Sequence, residues 1–244
     1  MLVRRTEPDS TVLGRAVLDA AGLDPADDLA AAEAAWIRDH HPRYVMFRLP
    51  VEDLAAAHRL EQAGFRYVET QLRLTYRLKP AYDTAAFPYR HERVTREEDL
   101  APVLDIASST FTVDRIGIDP GLPEAAAFSA ARYRAYVRKS LASPDERLYR
   151  LVDNATGRVL AFKTHRLLGP GEALMLLGGV HPDYKDAGLA SISAYFQYNS
   201  LREEGVRRIT THVSARNIPT LNIEVSGLQY RIAAVFTIFR KLYD

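Results

Sequence analysis

The sequence predicts an α/β fold, and three observations carry that prediction. Strand-like runs of β-branched and aromatic residues alternate with helical segments along the chain. A strand, a short loop and a helix follow one another over residues 174–193. A helix–glycine–strand unit occurs twice: Ala63-Gly64-Phe65-Arg66-Tyr67 matches Ser226-Gly227-Leu228-Gln229-Tyr230, and the same offset carries Arg77 onto Arg240. The 244 residues suffice for one large domain or two small ones. With 47% hydrophobic residues, 26% charged residues and a net charge of +1, the chain is a globular protein rather than a disordered one.

The elements follow in order. The turn at Asp24-Pro25 opens an Ala-rich helix over 29–40, and 43–49 is a strand stopped by Pro50. A helix over 52–62 closes at Gly64, and 65–78 alternates as a long strand. Residues 79–88 read as a linker. Beyond it come a strand over 89–94, a capping box Thr95–Glu98 opening a helix to about Ser108, and a second helix from Leu122 through Lys139. Strands over 147–152, 159–167 and 172–180 precede a helix over 188–203. A strand over 208–213, a short helix over 218–225 and a strand over 228–242 complete the chain. The expected division is a partial unit over 1–85 and a full unit over 86–244.

Composition removes several function classes. With no cysteine there is no disulfide, thiolate metal site or cysteine nucleophile. The seven histidines are scattered apart from His40-His41, so no metal site is expected. No Gly-x-Ser-x-Gly elbow or Gly-x-Gly-x-x-Gly loop is present. Arginine outnumbers lysine, but acidic residues balance it along the chain, so no nucleic-acid partner is expected. No apolar run approaches the ~20 residues of a membrane span, and no apolar segment follows Met1–Arg5 as in a secretory leader; a cytoplasmic location is the expectation.

Chemistry concentrates where the strand over 172–180 meets the next helix. The first turn of a helix offers unpaired N–H groups and the positive end of its dipole, which suits an anion. Ala187, Gly188 and Ala190 let a pyrophosphate approach the backbone, Lys185 adds a cation, and Gly178-Gly179 loosens the strand edge for an amide-rich arm. Coenzyme A joins those two chemistries in one ligand.

The segment Val180-His-Pro-Asp-Tyr-Lys-Asp-Ala-Gly-Leu-Ala190 resembles the acyl-CoA loop of the GCN5-related N-acetyltransferases, usually Q/R-x-x-G-x-G/A. Lys185, Gly188 and Ala190 occupy its defined positions, with Lys in place of Arg or Gln, and Asn217 falls where the family often has an Asn opening a short helix. The resemblance covers roughly residues 89–244 and implies a mixed α+β sheet. The region before it is similar to a truncated half of the same fold. It also implies acetyl-CoA or another acyl-CoA as donor, held by Leu177, Gly178, Gly179, Val180, Lys185, Asp186, Ala187, Gly188, Leu189, Ala190 and Asn217. Phe111, Asp114 and Arg115 are similar to the acceptor-side segment of the TDP-fucosamine acetyltransferase group. The implied reaction is transfer of an acetyl or other short acyl group to a primary amine of a small molecule, a nucleotide-linked amino sugar or a natural-product intermediate. With no thiol to carry the acyl group, it proceeds by direct attack.

One departure stands out. The family often has a Tyr in the short helix that protonates the leaving thiolate; counting from Asn217 gives Glu224, and counting back from Gly227 gives Ile223. A buried carboxyl with a raised pKa can donate that proton, Tyr230 or Tyr195 are alternatives, and a thiolate can leave unaided. His165 or Glu172 could deprotonate the acceptor, while Asn217 equally suits a plain helix cap. Two rival readings stay open: a donor thioester on an acyl carrier protein, and a non-catalytic CoA-sensing or partner-binding module. The oligomeric state is open, a homodimer included.

Overall fold

The computed structural model describes residues 1–111, 116–122, 125–185 and 187–244, the side chains of 125 and 126 excepted. Ten strands form one open mixed sheet. They are β1 (Leu2–Arg5), β2 (Ala16–Ala21), β3 (Pro42–Pro50), β4 (Arg66–Arg77), β5 (Tyr89–Val94), β6 (Glu146–Asp153), β7 (Val159–Gly169), β8 (Glu172–Val180), β9 (Arg208–Ser214) and β10 (Arg231–Leu242). The helices are α1 (Glu7–Leu13), α2 (Leu29–His40), α3 (Leu54–Gln62), α4 (Ala101–Thr110), α5 (Ala125–Ala142), α6 (Leu189–Glu203) and α7 (Ile218–Leu221). A π-helical turn over Asn222–Gly227 continues α7.

The spatial order is β1-β2-β3-β10-β4-β9-β8-β7-β6-β5. Strand β10, last in sequence, lies between β3 and β4 and is antiparallel to both. Strand β4 in turn pairs antiparallel with β9. The order β2-β3-β10-β4-β9-β8 therefore reads the same from either end when each half's strands are exchanged. Both outer pairs, β2/β3 and β8/β9, are parallel. The sequence repeat maps onto this symmetry: Phe65 N–H donates to the Leu60 carbonyl at 2.9 Å, and Leu228 N–H donates to the Ile223 carbonyl at 2.8 Å.

One apolar cluster packs α2 and α3 on β2 and β3 through Trp36, Phe47, Leu60 and Phe65. A second packs α6 on β4 and β9 through Leu74, Tyr198, Leu201 and Ile209. A third, on the opposite face, packs α4 and α5 on β6 and β7 through Val103, Ile106, Val137 and Phe162.

Two expectations change. The chain before Asp24 carries β1, α1 and β2, which Ala- and Asp-rich composition does not announce; β2 is a strand because β3 pairs with it from Ala16 to Ala20. Thr95 caps nothing: a 3₁₀ turn over Glu97–Asp99 intervenes, and α4 starts at Ala101 with Pro102 in its first turn.

Candidate active site

The parallel pair β8/β9 is joined only at Glu172↔Arg208, Ala173↔Ile209 and Leu174↔Thr210. Beyond that point β8 runs on beside β7 and β9 runs on beside β4. The two strands part, and among the described residues the second half of β8 keeps one edge without a ladder partner. At the fork the Thr211 hydroxyl donates to the Met175 carbonyl at 3.4 Å. Between Met175 and Gly178 strand β8 carries one residue more than β7, a bulge in which Leu177 N–H donates to Thr164 Oγ1 at 3.0 Å. Gly178 is exposed on the open strand. Gly179 is buried against α4, where a Cβ would come within 2.8 Å of the Phe162 ring, so only glycine fits.

A 3₁₀ turn over Pro182–Tyr184 leads from the splayed strand to α6. Gly188 is the N-cap of α6 with φ +69°, and no side chain of the described residues caps the helix. A left-handed N-cap asks for glycine, and a bare one leaves the first-turn amides open. Among the described residues, the N–H groups of Gly188, Leu189 and Ala190 have no protein acceptor. Lys185, Ala187 and Gly188 are exposed, so an anion can reach this end of the cleft. Asp186 lies outside the described residues.

At the fork the site turns polar. The π-helical turn carries Glu224, whose Oε2 is buried without a hydrogen-bond partner. Burial raises the Glu224 pKa, opposed by the charge of Lys163 on β7 and by a hydrogen bond from Tyr230. Lys163 lies against Gly178, and burial lowers its ammonium pKa while Glu224 acts the other way. Glu224 and Lys163 thus act on one another through their charges. Tyr230 and Tyr198 share a hydrogen bond of 2.8 Å, and burial pushes both phenols well above their ordinary pKa. Tyr76 stacks on both rings and bonds the Tyr82 hydroxyl at 2.7 Å.

The structure thus brings Glu224 and Tyr230 together at the fork of a cleft bordered by Leu177–Val180 and α6. It does not bring His165 there. That ring is fully buried, with Nδ1 at 2.6 Å from Gln197 Nε2 and Nε2 at 3.7 Å from Glu204. Burial holds its pKa down at about 4, and it has no access to an acceptor amine. Glu172 is ion-paired with Arg208 at the joined end of β8 and β9, away from the opening. Asn217 caps α7, accepting from Thr220 N–H at 3.2 Å. Phe111 ends α4, stacked on Tyr133 with ring centroids 4.1 Å apart. Asp114 and Arg115 lie outside the described residues. Sequence reasoning missed Lys163; its period-two relation to His165 on one strand was the available signal, because both face α6.

Among solved structures the fold is that of the GCN5-related N-acetyltransferases. A GCN5-related N-acetyltransferase from Sphaerobacter thermophilus superposes with a TM-score of 0.64 at 15% identity, over 93% of this chain and 73% of that one. A tandem protein of this fold from the clavulanic acid biosynthesis pathway gives 0.59 at 18%, over 93% and 74%. A Kribbella flavida GCN5-related N-acetyltransferase gives 0.60 at 14%, over 94% and 82%. No protein-family model matches the chain, and no curated protein matches it in sequence.

Proposed function

We propose that the protein is an N-acyltransferase that moves an acetyl or other short acyl group from acyl-CoA to a primary amine of a small molecule. The splay of β8 from β9, with the bare N-terminus of α6 at its mouth, is the observation that carries this reading. The pyrophosphate lies on the amides of Gly188, Leu189 and Ala190 beside Lys185, with Ala187 and Asp186 completing the loop. The pantetheine arm pairs with the free edge of β8 from Leu177 to Val180. Asn217 borders the arm through α7.

The uncharged amine, having released its proton to water, attacks the thioester carbonyl. A β8 amide near Gly179 or Val180 steadies the oxyanion. The carbon–nitrogen bond forms, the carbon–sulfur bond breaks, and the thiolate takes the Glu224 proton with Tyr230 orienting the carboxyl; the surplus proton on the new amide nitrogen passes to water, and water returns one to the Glu224 carboxylate. The acceptor enters from the side of Phe111, and Asp114 and Arg115 are proposed to contact it on the likeness of their segment alone. We place an amino sugar first among acceptors, on the likeness of that segment to the TDP-fucosamine acetyltransferase group. The fold of a glucosamine N-acetyltransferase region of a fungal β-N-acetylglucosaminidase also supports it, at a TM-score of 0.62 and 13% identity over 93% of this chain and 30% of that one.

The test mixes protein, acetyl-CoA and a panel of amines and follows free thiol, beside calorimetric titration of acetyl-CoA. Saturable binding with amine-dependent thiol release is expected. Failure of every acyl-CoA to bind overturns the reading.

A further inference from the structure

On the sheet face opposite α6, four adjacent strands carry polar side chains beside the fork, Glu69 and Gln71 buried and Arg73 exposed. Register places Arg48, Ile238 and Glu69 in one row, Phe236, Gln71 and Ser214 in the next, and Arg73 beside His212 in the third. Strand β3 and β4 come from the first half of the chain, β9 and β10 from the second. Arg73 is exposed. Its guanidinium lies 5.8 Å from the Phe236 ring centroid, and that of Arg48 lies 6.0 Å from the same ring. The His212 ring centroid is 6.2 Å from that of Phe236.

Two features set this surface apart. No carboxylate pairs with Arg73 among the described residues, whereas most arginines of the sheet have an ionic partner or a carbonyl. Gln71 is 3% exposed, and its Oε1 has no hydrogen-bond partner among the described residues. A buried amide oxygen without a donor costs free energy unless something supplies one. The row containing Gln71 ends on Ser214 of β9, past the point where β9 parts from β8, so the surface borders the cleft.

We infer that this face binds an anionic group of the acceptor amine, with the Arg73 guanidinium as its main contact. The inference rests on the N-acyltransferase reading and names the acceptor class: a primary amine that also carries a phosphate or a carboxylate. A guanidinium offers a planar fork of donors that matches either oxyanion. Phe236 holds the two arginines over one ring and keeps the fork in place. The Gln71 oxygen accepts from a hydroxyl or ammonium of the same ligand. Because β3 and β10 bring Arg48 and Phe236 to the face, the first half of the chain serves the acceptor although its own strands are not splayed.

Matched amine pairs test this: glucosamine against glucosamine 6-phosphate, and ethanolamine against β-alanine, each with saturating acetyl-CoA. The anionic member of at least one pair is expected to show kcat/KM about tenfold higher or more, the size of one charge-assisted contact. The pair that responds identifies phosphate or carboxylate. In Arg73→Gln that ratio falls towards one through KM, and Arg73→Lys restores part of it. Equal turnover within both pairs, or a ratio unchanged in Arg73→Gln, overturns the inference. Titration of glucosamine 6-phosphate and β-alanine into wild type and Arg73→Gln, with and without CoA, reads the same site when no amine is turned over. Affinity unchanged by the substitution for both ligands overturns it there. Acetyl-CoA binding itself reports on the N-acyltransferase reading, so the two failures are separable.

Discussion

The two halves of the sheet are built alike and differ at the position where a ligand would enter. In the first half, β2 and β3 stay paired from Ala16 to Ala20, nearly the whole of the shorter strand. In the second, β8 and β9 part after Leu174. The helix after β2 is capped by Asp28, whose carboxylate accepts the Ala31 N–H at 3.0 Å. The helix after β8 is capped by Gly188, with no side chain of the described residues over its amides. At the equivalent position of the repeat, Glu61 is exposed whereas Glu224 is half-buried beside Lys163. Tyr67 is 53% exposed, and its counterpart Tyr230 is 4% exposed. In the first half a carboxylate of the chain already fills the helix-end anion site. In the second no described residue fills it, so the same architecture yields one cleft rather than two.

The comparison breaks most sharply at the carboxyl pair. Glu224→Gln is expected to lower kcat by roughly 10²–10⁴-fold, while Glu61→Gln leaves it unchanged, measured as thiol release under saturating substrates. In wild type, kcat falls as pH rises through the raised Glu224 pKa, because the acid form is the donor. That limb disappears in Glu224→Gln; its persistence there would assign the proton to another group.

The next effect is on stability and belongs to the second half. Burial holds His91 and His165 at about 4, below the ordinary 6.5. Their neutral rings contribute stability that is whole above about pH 6.5 and lost as pH falls through about 4. Each difference corresponds to about 3 kcal/mol. Urea midpoints should drop over that window, and the drop should shrink in His165→Gln; an unchanged slope would place the acid sensitivity elsewhere.

A smaller effect is expected at the cap. Gly188→Val forces a branched side chain onto a positive φ and covers the α6 amides. Acetyl-CoA affinity by calorimetry should weaken about tenfold or more. The matching change in the first half, Asp28→Ala, should cost about 1 kcal/mol of stability through the lost cap and leave acetyl-CoA affinity as it was. A loss of affinity in Asp28→Ala would show that the first half holds donor as well.

Local patterns were sufficient for most elements after residue 28. Helix α2 and strands β5 and β8 run over the residues that periodicity and stop signals indicated. The loop at Lys185–Ala190 was legible because an uncapped, glycine-led helix start is a local property. Glu224 was reached by counting from Asn217 in the family pattern, whereas counting back from Gly227 gave Ile223. Lys163, whose charge acts on Glu224, was not legible, because β7 and the π-helical turn are distant in sequence. His165 was misjudged for the same reason: only packing against Gln197 reveals that it is buried.

The sequence by itself determined an α/β chain without cysteine, a repeated helix–glycine–strand unit and a single glycine-led loop between strand and helix. These depend on neighbours within a few residues, where propensity, capping and backbone sterics act. The tertiary structure alone decided that β10 crosses into the first half, that β8 and β9 part after three paired positions, and that Arg48 and Arg73 meet over Phe236. Strand pairing between distant segments is chosen by which apolar faces can be buried together, and no local run of residues encodes that choice.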